Sequence, residues 1–205
     1  MHQTLFTKIG AAVAIGLGLA ALPASAAGLL GERYATLSYD PVFVNLDAYD
    51  NGDGFTAFYN QSWTETVDFG VGYSYQAYGD ADGRDEVGDF SDQRIHLVAT
   101  AFGEPEQNRV WARIGVGLGR VEHGDRDVTS LSWLALVGTE YLVGDKVVLH
   151  PYAGWSNVLN DGETTRFVYG VQTVFDATDK VGVSVRLEGD HHYNVVFSIG
   201  GLFRF

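Results

Sequence analysis

Apolar residues alternate with polar or small residues along most of the chain. Successive side chains of a β-strand point to opposite faces, so a period of two predicts strands whose faces meet different surroundings. The last segment shows the pattern clearly, because one face carries Tyr193, Val195, Phe197, Ile199, Phe203 and Phe205. The alternation marks ten segments, at residues 33–47, 54–63, 67–78, 92–102, 109–121, 130–143, 147–157, 165–176, 180–190 and 193–205. The sequence therefore predicts an all-β protein.

The lengths of these segments and of their connections indicate how the strands are arranged. The segments are 10–15 residues long, and these lengths suit the roughly 9–11 residues that a tilted strand needs to cross a bilayer. Four connections are short, at residues 64–66, 103–108, 144–146 and 177–179, whereas the others are more acidic and the longest spans residues 79–91. Short turns at one end, longer loops at the other and an even strand count predict a closed antiparallel up-and-down transmembrane β-barrel. We expect ten strands, with eight as the alternative.

The first 26 residues differ from the rest of the chain. Lys8 precedes an apolar run of 14 residues, Ile9 to Leu22, and the stretch ends in Ala24-Ser25-Ala26. A basic start, a short apolar centre and an A-x-A end are typical of a secretory signal peptide. The run is shorter than the roughly 20 residues of a membrane-spanning helix. We expect residues 1–26 to be removed and residues 27–205 to form one barrel domain.

Composition narrows the functional classes. The chain has 205 residues, no cysteine, 13 Lys plus Arg and 26 Asp plus Glu, for a net charge of -13. The lack of cysteine excludes disulfides and thiolate metal sites. Phosphate binding needs a basic stripe that so acidic a chain can hardly form, so we expect no nucleic-acid partner. We also expect no cofactor.

One acidic segment has the composition of a calcium loop. Asp50-Asn51-Gly52-Asp53-Gly54 follows Asp47, but an EF-hand loop counted from Tyr49 would begin with tyrosine and end with Asn60 in place of a bidentate glutamate. A hairpin turn rich in Asp, Asn and Gly explains the segment. We therefore expect no metal site.

A soluble barrel or sandwich would also alternate, so the residue types on the second face decide between the two interpretations. In a soluble protein that face would meet water and carry many charges. Here it carries glycines instead, namely Gly70, Gly72, Gly115, Gly117, Gly119, Gly138, Gly154, Gly170, Gly182 and Gly200. A narrow lumen explains them, because glycines leave room for the side chains of neighbouring inward arginines.

Charged side chains share this inward face. Arg109 and five further arginines point inward, as do Asp40, Asp68 and two glutamates. A buried charge without a partner costs several kcal/mol, so we expect these groups to pair. The predicted Arg–carboxylate network of the lumen consists of Arg94, His96, Arg113, Glu140, Arg166, Arg186, Glu188 and Arg204.

The opposite face has the composition of a lipid-facing surface. It carries charge only at Arg33 and Arg120, both near strand ends, where long side chains reach the polar headgroups. Aromatic residues on this face gather near strand ends, as expected of girdles at two membrane interfaces. They include Trp63, Phe69, Trp133, Tyr141, Trp155, Phe175, Tyr193 and Phe205. These features favour a membrane barrel over a soluble one.

The chain ends in alternating apolar residues from Tyr193 to a carboxy-terminal Phe205. This ending resembles the C-terminal recognition signal of Gram-negative outer-membrane proteins, which the barrel assembly machinery reads. The resemblance implies that the machinery is a partner of the last strand. It also implies an assembly signal made of Phe197, Ile199, Phe203 and Phe205.

Glycine- and aromatic-rich segments at residues 69–75, 112–119 and 150–155 resemble the small barrels of the OmpA-like and opacity-protein-like superfamily. The resemblance implies an outer-membrane location in a Gram-negative bacterium. Membrane lipid and lipopolysaccharide are then the expected partners. We expect the barrel to be a monomer.

Candidate chemistry gathers at the hairpin between the last two strands. Asp190, His191 and His192 lie there near Glu188, and a carboxylate with an imidazole can activate a nucleophile. Such groups in a loop are more often a polar turn than an active site. We therefore predict no catalytic residue and keep a surface-facing hydrolase as an alternative.

Two non-enzymatic functions remain. A structural or surface-interaction role needs only a closed barrel with acidic loops, and it is the default interpretation. A small channel for ions or small solutes is the other alternative. A ten-stranded lumen is close to the size that side chains fill, but the inward glycines could leave a thin path.

Overall fold

The computed structural model describes residues 28–43, 49–80, 90–103, 108–123, 126–159 and 165–205. The predicted signal peptide, the end of the first predicted strand and most of the longest acidic loop lie outside these residues. No helix in the described part of the chain is long and apolar enough to cross a membrane.

Within the described residues, eleven strands form one closed sheet. They are β1 (Tyr34–Tyr39), β2 (Val42–Phe43), β3 (Tyr49–Thr64), β4 (Val67–Asp80), β5 (Phe90–Phe102), β6 (Asn108–His123), β7 (Arg126–Val143), β8 (Val147–Leu159), β9 (Arg166–Asp176), β10 (Val181–Asp190) and β11 (Val195–Arg204). From β3 onward each strand pairs antiparallel with the next. Both β1 and β2 pair with β3 and β11, so together they occupy one position of a ten-stranded barrel. The prediction of ten strands is confirmed and the eight-stranded alternative is wrong.

The strands extend further at the loop end of the barrel than the alternation predicts. β7 begins at Arg126 instead of residue 130, and it stays paired with β6 from His123–Arg126 to Asn108–Tyr141. A strand alternates apolar and polar side chains only where its two faces meet different surroundings. At the polar ends of the strands, the backbone hydrogen bonds of the sheet continue without such alternation. The predicted boundaries therefore follow the apolar belt and not the ends of the strands.

The first predicted strand is interrupted at Asp40 and Pro41. Proline has no N–H to donate to the ladder. The side chain of Asp40 is fully buried and accepts a hydrogen bond from Thr56 Oγ1. Across the gap, Phe197 N donates to Pro41 O at 3.1 Å, which holds the interrupted strand against β11.

The outward face of the wall is apolar and exposed. Along β6, the side chains of Val110, Ile114 and Leu118 are 68%, 65% and 61% exposed. An exposed apolar belt of this extent is what contact with lipid requires. The belt ends where charge begins, because Arg120 follows Leu118 on this face and pairs with Asp127 at 2.6 Å. The soluble barrel or sandwich is therefore excluded.

Aromatic side chains form a belt at each end of the apolar surface. The loop end carries the ring pairs Phe55–Tyr73, Phe55–Tyr75 and Trp155–Phe167, with centroids 5.7, 5.8 and 5.6 Å apart. The turn end carries the pairs Trp63–Phe69 and Tyr59–Phe205, with centroids 5.8 and 6.4 Å apart. Amphipathic rings favour the headgroup level, so these belts mark the two membrane interfaces.

The apolar belt predicts a position-dependent effect of an added charge. We expect Ile114→Arg to lower the free energy of unfolding by roughly 2–4 kcal/mol, because the charge enters hydrocarbon at the middle of β6. Thr129→Arg, an exposed position beyond the belt, should have little effect. Urea unfolding of both variants in lipid vesicles measures the difference. Equal small effects at the two positions would contradict a lipid-facing belt.

Candidate functional site

Apolar side chains fill the turn end of the lumen. One cluster contains Leu29, Tyr34, Val148, Val174 and Leu202, and a second contains Leu30, Phe102 and Trp111. Each of these residues is at most 7% exposed. Further toward the loop end, inward side chains differ in burial. Arg94, Ser130 and Asp190 are at most 7% exposed, whereas the side chain of Arg186 is 32% exposed. The apolar clusters thus close the turn end of the lumen.

One leucine of each cluster, Leu29 in the first and Leu30 in the second, comes from the chain ahead of β1. Residues Gly28–Glu32, called here the N-terminal segment, enter the turn end of the lumen and belong to no strand. Leu29 and Leu30 are 3% and 4% exposed there. Burial of one such side chain contributes roughly 1.5–3 kcal/mol. The segment reverses direction at Gly31, whose φ of 82° is a conformation that glycine adopts without strain.

Glu140 on β7 anchors the first half of the N-terminal segment. Its side chain is 1% exposed and accepts hydrogen bonds from Leu29 N at 2.6 Å and Leu30 N at 3.3 Å. Arg109 Nε donates to Glu140 Oε1 at 2.8 Å, and His150 Nε2 lies 2.8 Å from Oε2. Arg109 Nη1 also donates to Leu30 O at 2.9 Å. Both oxygens of this buried carboxylate are therefore matched by donors.

Asp68 and Asn60 anchor the second half of the segment. Gly31 N donates to Asp68 Oδ2 at 3.0 Å. The amide of Asn60 donates to the same oxygen at 3.1 Å and to Glu32 O at 2.8 Å. The backbone groups of the segment thus form hydrogen bonds with side chains of the barrel wall. These bonds take the place of the strand-to-strand hydrogen bonds of a sheet.

The predicted lumen network separates into local groups. Its ion pairs in the described chain include Arg109–Glu140, Arg204–Asp176 at 2.6 Å, Arg94–Asp92 at 2.7 Å, Arg166–Asp190 at 3.9 Å and Arg186–Asp40 at 4.0 Å. Other predicted members meet neutral partners, in the contacts Arg113 Nε–Thr100 Oγ1 at 2.9 Å, His96 Nε2–Ser74 Oγ at 3.0 Å and Glu188–Tyr152 hydroxyl. The predicted network therefore consists of separate ion pairs and neutral hydrogen bonds and is not one continuous set of charges.

Sequence reasoning missed parts of this site. It placed Arg109 inward without a partner, and it did not use Asp176, which shares the inward parity of Val174 on β9. Parity was the signal that would have identified this carboxylate as a partner of an inward arginine. The N-terminal segment carries no comparable signal, because its contact with Glu140 spans 111 residues.

The inward glycines make room for rings as well as for arginines. An added Cβ would overlap a large lumen side chain in the pairs Gly70–Phe58, Gly138–Trp111 and Gly170–Tyr152. At Gly119 it would lie 3.1 Å from Arg94 Nε, as expected for a glycine beside an inward arginine. The glycine-rich face therefore accommodates an aromatic interior that the sequence analysis did not anticipate.

The candidate catalytic residues form a turn. Asp190 accepts hydrogen bonds from His192 N at 2.8 Å, from Asn194 N at 3.1 Å and from the Asn194 side chain at 2.9 Å. His191 Nδ1 accepts a hydrogen bond from Phe167 N at 3.1 Å. Aspartate commonly closes turns in this way. Within the described residues, no three His, Asp or Glu side chains are grouped as metal ligands.

The residues of the expected assembly signal lie on the outward face of β11. Phe203 and Phe205 are 48% and 67% exposed, and the Arg33 guanidinium lies 5.7 Å from the centre of the Phe205 ring. Phe197 and Ile199 share their parity on the strand. The assembly signal stays a prediction, and its residues lie on the lipid-facing surface of the wall.

No family model and no curated protein matches the sequence. Solved structures are similar. The translocator domain of the autotransporter NalP from Neisseria meningitidis matches with a TM-score of 0.50 and 13% identity, over 85% of this chain and 88% of that one. This chain has the outer-membrane β-barrel fold. OprG from Pseudomonas aeruginosa (TM-score 0.45, 9% identity, 87% and 98% coverage) and Ail from Yersinia pestis (0.43, 12%, 86% and 100%) are further matches.

Outer-membrane barrels have short periplasmic turns and longer extracellular loops. In this outer-membrane barrel, the turns after β3, β7 and β9 span only a few residues. They lie at the same end as Tyr34 and Arg204, which are paired at the closing seam. The N-terminal segment precedes Tyr34, so we expect the closed mouth of the barrel to be the periplasmic one.

Substitution of Glu140 tests the anchor of the N-terminal segment. Glu140→Gln leaves Arg109 without a buried counter-charge, so we expect the free energy of unfolding to fall by about 3–5 kcal/mol. Glu122→Gln removes one partner of Arg120 on the exposed outer hairpin and should have almost no effect. Urea unfolding of the barrel in lipid vesicles compares the two. A similar loss in both variants would argue against a special role of Glu140.

Proposed function

We propose that this outer-membrane barrel is closed to passive diffusion and has a structural or surface-interaction role. The closed periplasmic mouth is the observation that supports the proposal. A solute crossing the lumen would have to displace Leu29 and Leu30 and break the hydrogen bonds to Glu140 and Asp68. A ten-stranded lumen is also close to the size that side chains can fill.

The outer ends of the strands support a surface role. β6 and β7 continue beyond the apolar belt, and Arg120 pairs there with Glu122 at 3.1 Å and with Asp127 at 2.6 Å. A paired hairpin with charged sides offers a stiff surface above the lipid. We propose that this hairpin contacts lipopolysaccharide headgroups. We also propose that the barrel is a monomer and that β11 is the strand that meets the barrel assembly machinery.

A small channel is the second candidate, and one observation favours it. Above the closed mouth, the side chains of Arg186 and Arg166 are 32% and 36% exposed. These inward groups line the extracellular half of the lumen, where water can reach them. A channel would need an opening at the periplasmic mouth and also a path past Arg94 and Ser130, which are 6% and 2% exposed.

Planar-bilayer recording separates the two candidates. The refolded protein should insert without conductance steps at high salt, because its lumen is closed. A heat-dependent shift in gel mobility serves as the control that silent protein is folded. Steady openings of the unmodified barrel would overturn the proposed function and establish the channel.

A further inference from the structure

We infer that the periplasmic mouth is a peptide-binding site and that residues Gly28–Gly31 are its tethered ligand. The inference rests on the proposed function, because it assumes a lumen closed by this segment. The inference also names the ligand class of the site, which is a short apolar peptide. It implies that the site can bind such a peptide when the peptide is a separate molecule.

Charged side chains of the wall recognise the backbone of the segment. Glu140 accepts the N–H groups of Leu29 and Leu30, and Asp68 accepts that of Gly31. Arg109 donates to the carbonyl of Leu30 at 2.9 Å. Three consecutive N–H groups and one carbonyl are thus matched by residues from β4, β6 and β7. These contacts involve only the main chain, so a separate peptide could make the same ones.

Two apolar pockets recognise the side chains. Leu29 packs with Tyr34, Val148, Val174 and Leu202, whereas Leu30 packs with Phe102 and Trp111. The position before them suits glycine, because a Cβ on Gly28 would overlap Arg109 and Glu140. The site therefore selects two adjacent leucine-like side chains that follow a small residue.

The mouth has more hydrogen-bonding capacity than the segment uses. In the described chain, Asp68 Oδ1 and Trp111 Nε1 are buried without a hydrogen-bond partner. Asp68 and Trp111 are 2% and 3% exposed, and both face the lumen beside the segment. A buried polar atom without a partner is rare in folded proteins. Both atoms are therefore available to main-chain groups of a peptide that occupies the mouth.

The segment can leave without unfolding the wall. The wall begins at Tyr34, which pairs with Arg204 of β11 and Asn60 of β3, and no strand includes residues 28–32. Local elements outside the main hydrogen-bonded ladder open at lower free energy than the whole protein. Departure of the segment would remove Leu29 and Leu30 from the two clusters and open the periplasmic end of the lumen.

Paired substitutions in the segment test this inference in planar bilayers. The variant Leu29→Asp/Leu30→Asp keeps the full chain but cannot fill the apolar pockets, so we expect conductance steps in place of a silent baseline. Thr129→Asp adds a carboxylate to the outer hairpin and should stay silent. Gly31→Val is a second opening variant, because valine disfavours the positive φ of residue 31. This variant substitutes none of the side chains that fill the lumen.

A separate peptide then tests recognition. Ala-Gly-Leu-Leu-Gly-Glu, added on the periplasmic side, should lower the open fraction of the opening variants several-fold, whereas Ala-Gly-Asp-Asp-Gly-Glu should not. Folded variants that stay silent would overturn the inference and leave the proposed function intact. Openings that ignore the leucine peptide would overturn peptide recognition. Openings of the unmodified protein would instead overturn the proposed function.

Discussion

The buried carboxylate of Glu140 is the group on which the closed lumen depends. A charge removed from water is tolerated only when it is paired and hydrogen-bonded, and both of its oxygens meet that condition. The partners come from three places: Arg109 on β6, His150 on β8 and the backbone of the N-terminal segment. One charge therefore ties two wall strands to the segment that fills the mouth. Departure of the segment removes two of the donors that make this charge tolerable.

The wall satisfies a different constraint, since it separates lipid from a polar interior. Backbone groups in a bilayer have to be paired within the protein, and closure of ten strands leaves no open edge. Outward positions are then apolar, as at Val110 and Ile114, while inward positions hold paired charges or small residues beneath large rings, as at Gly138 under Trp111. The periplasmic mouth therefore combines both kinds of contact. Its apolar clusters lie beside the buried ion pairs Arg109–Glu140 and Arg204–Asp176.

The wall could be predicted from the sequence because its two faces impose a period of two. The ten strands, the outward aromatic residues and the inward glycines all follow from that period. The sequence shows a proline at position 41. The alternation on both sides of Asp40 and Pro41 nevertheless predicted one continuous strand there. The partners of Arg109 and Arg204 depend on cross-strand neighbours, which one sequence does not provide. The N-terminal segment could not be predicted, because Gly28–Glu32 has no period and its contacts come from distant strands.

Amide hydrogen exchange of the folded barrel in lipid nanodiscs tests the closed mouth most directly. If Glu140 and Asp68 hold the segment inside the lumen, the amide protons of Leu29, Leu30 and Gly31 should exchange as slowly as ladder amides of β6. Slow exchange at all three positions would support a lumen closed by its own chain. Exchange at the rate of an unstructured chain end, with the β6–β7 ladder still protected, would contradict it.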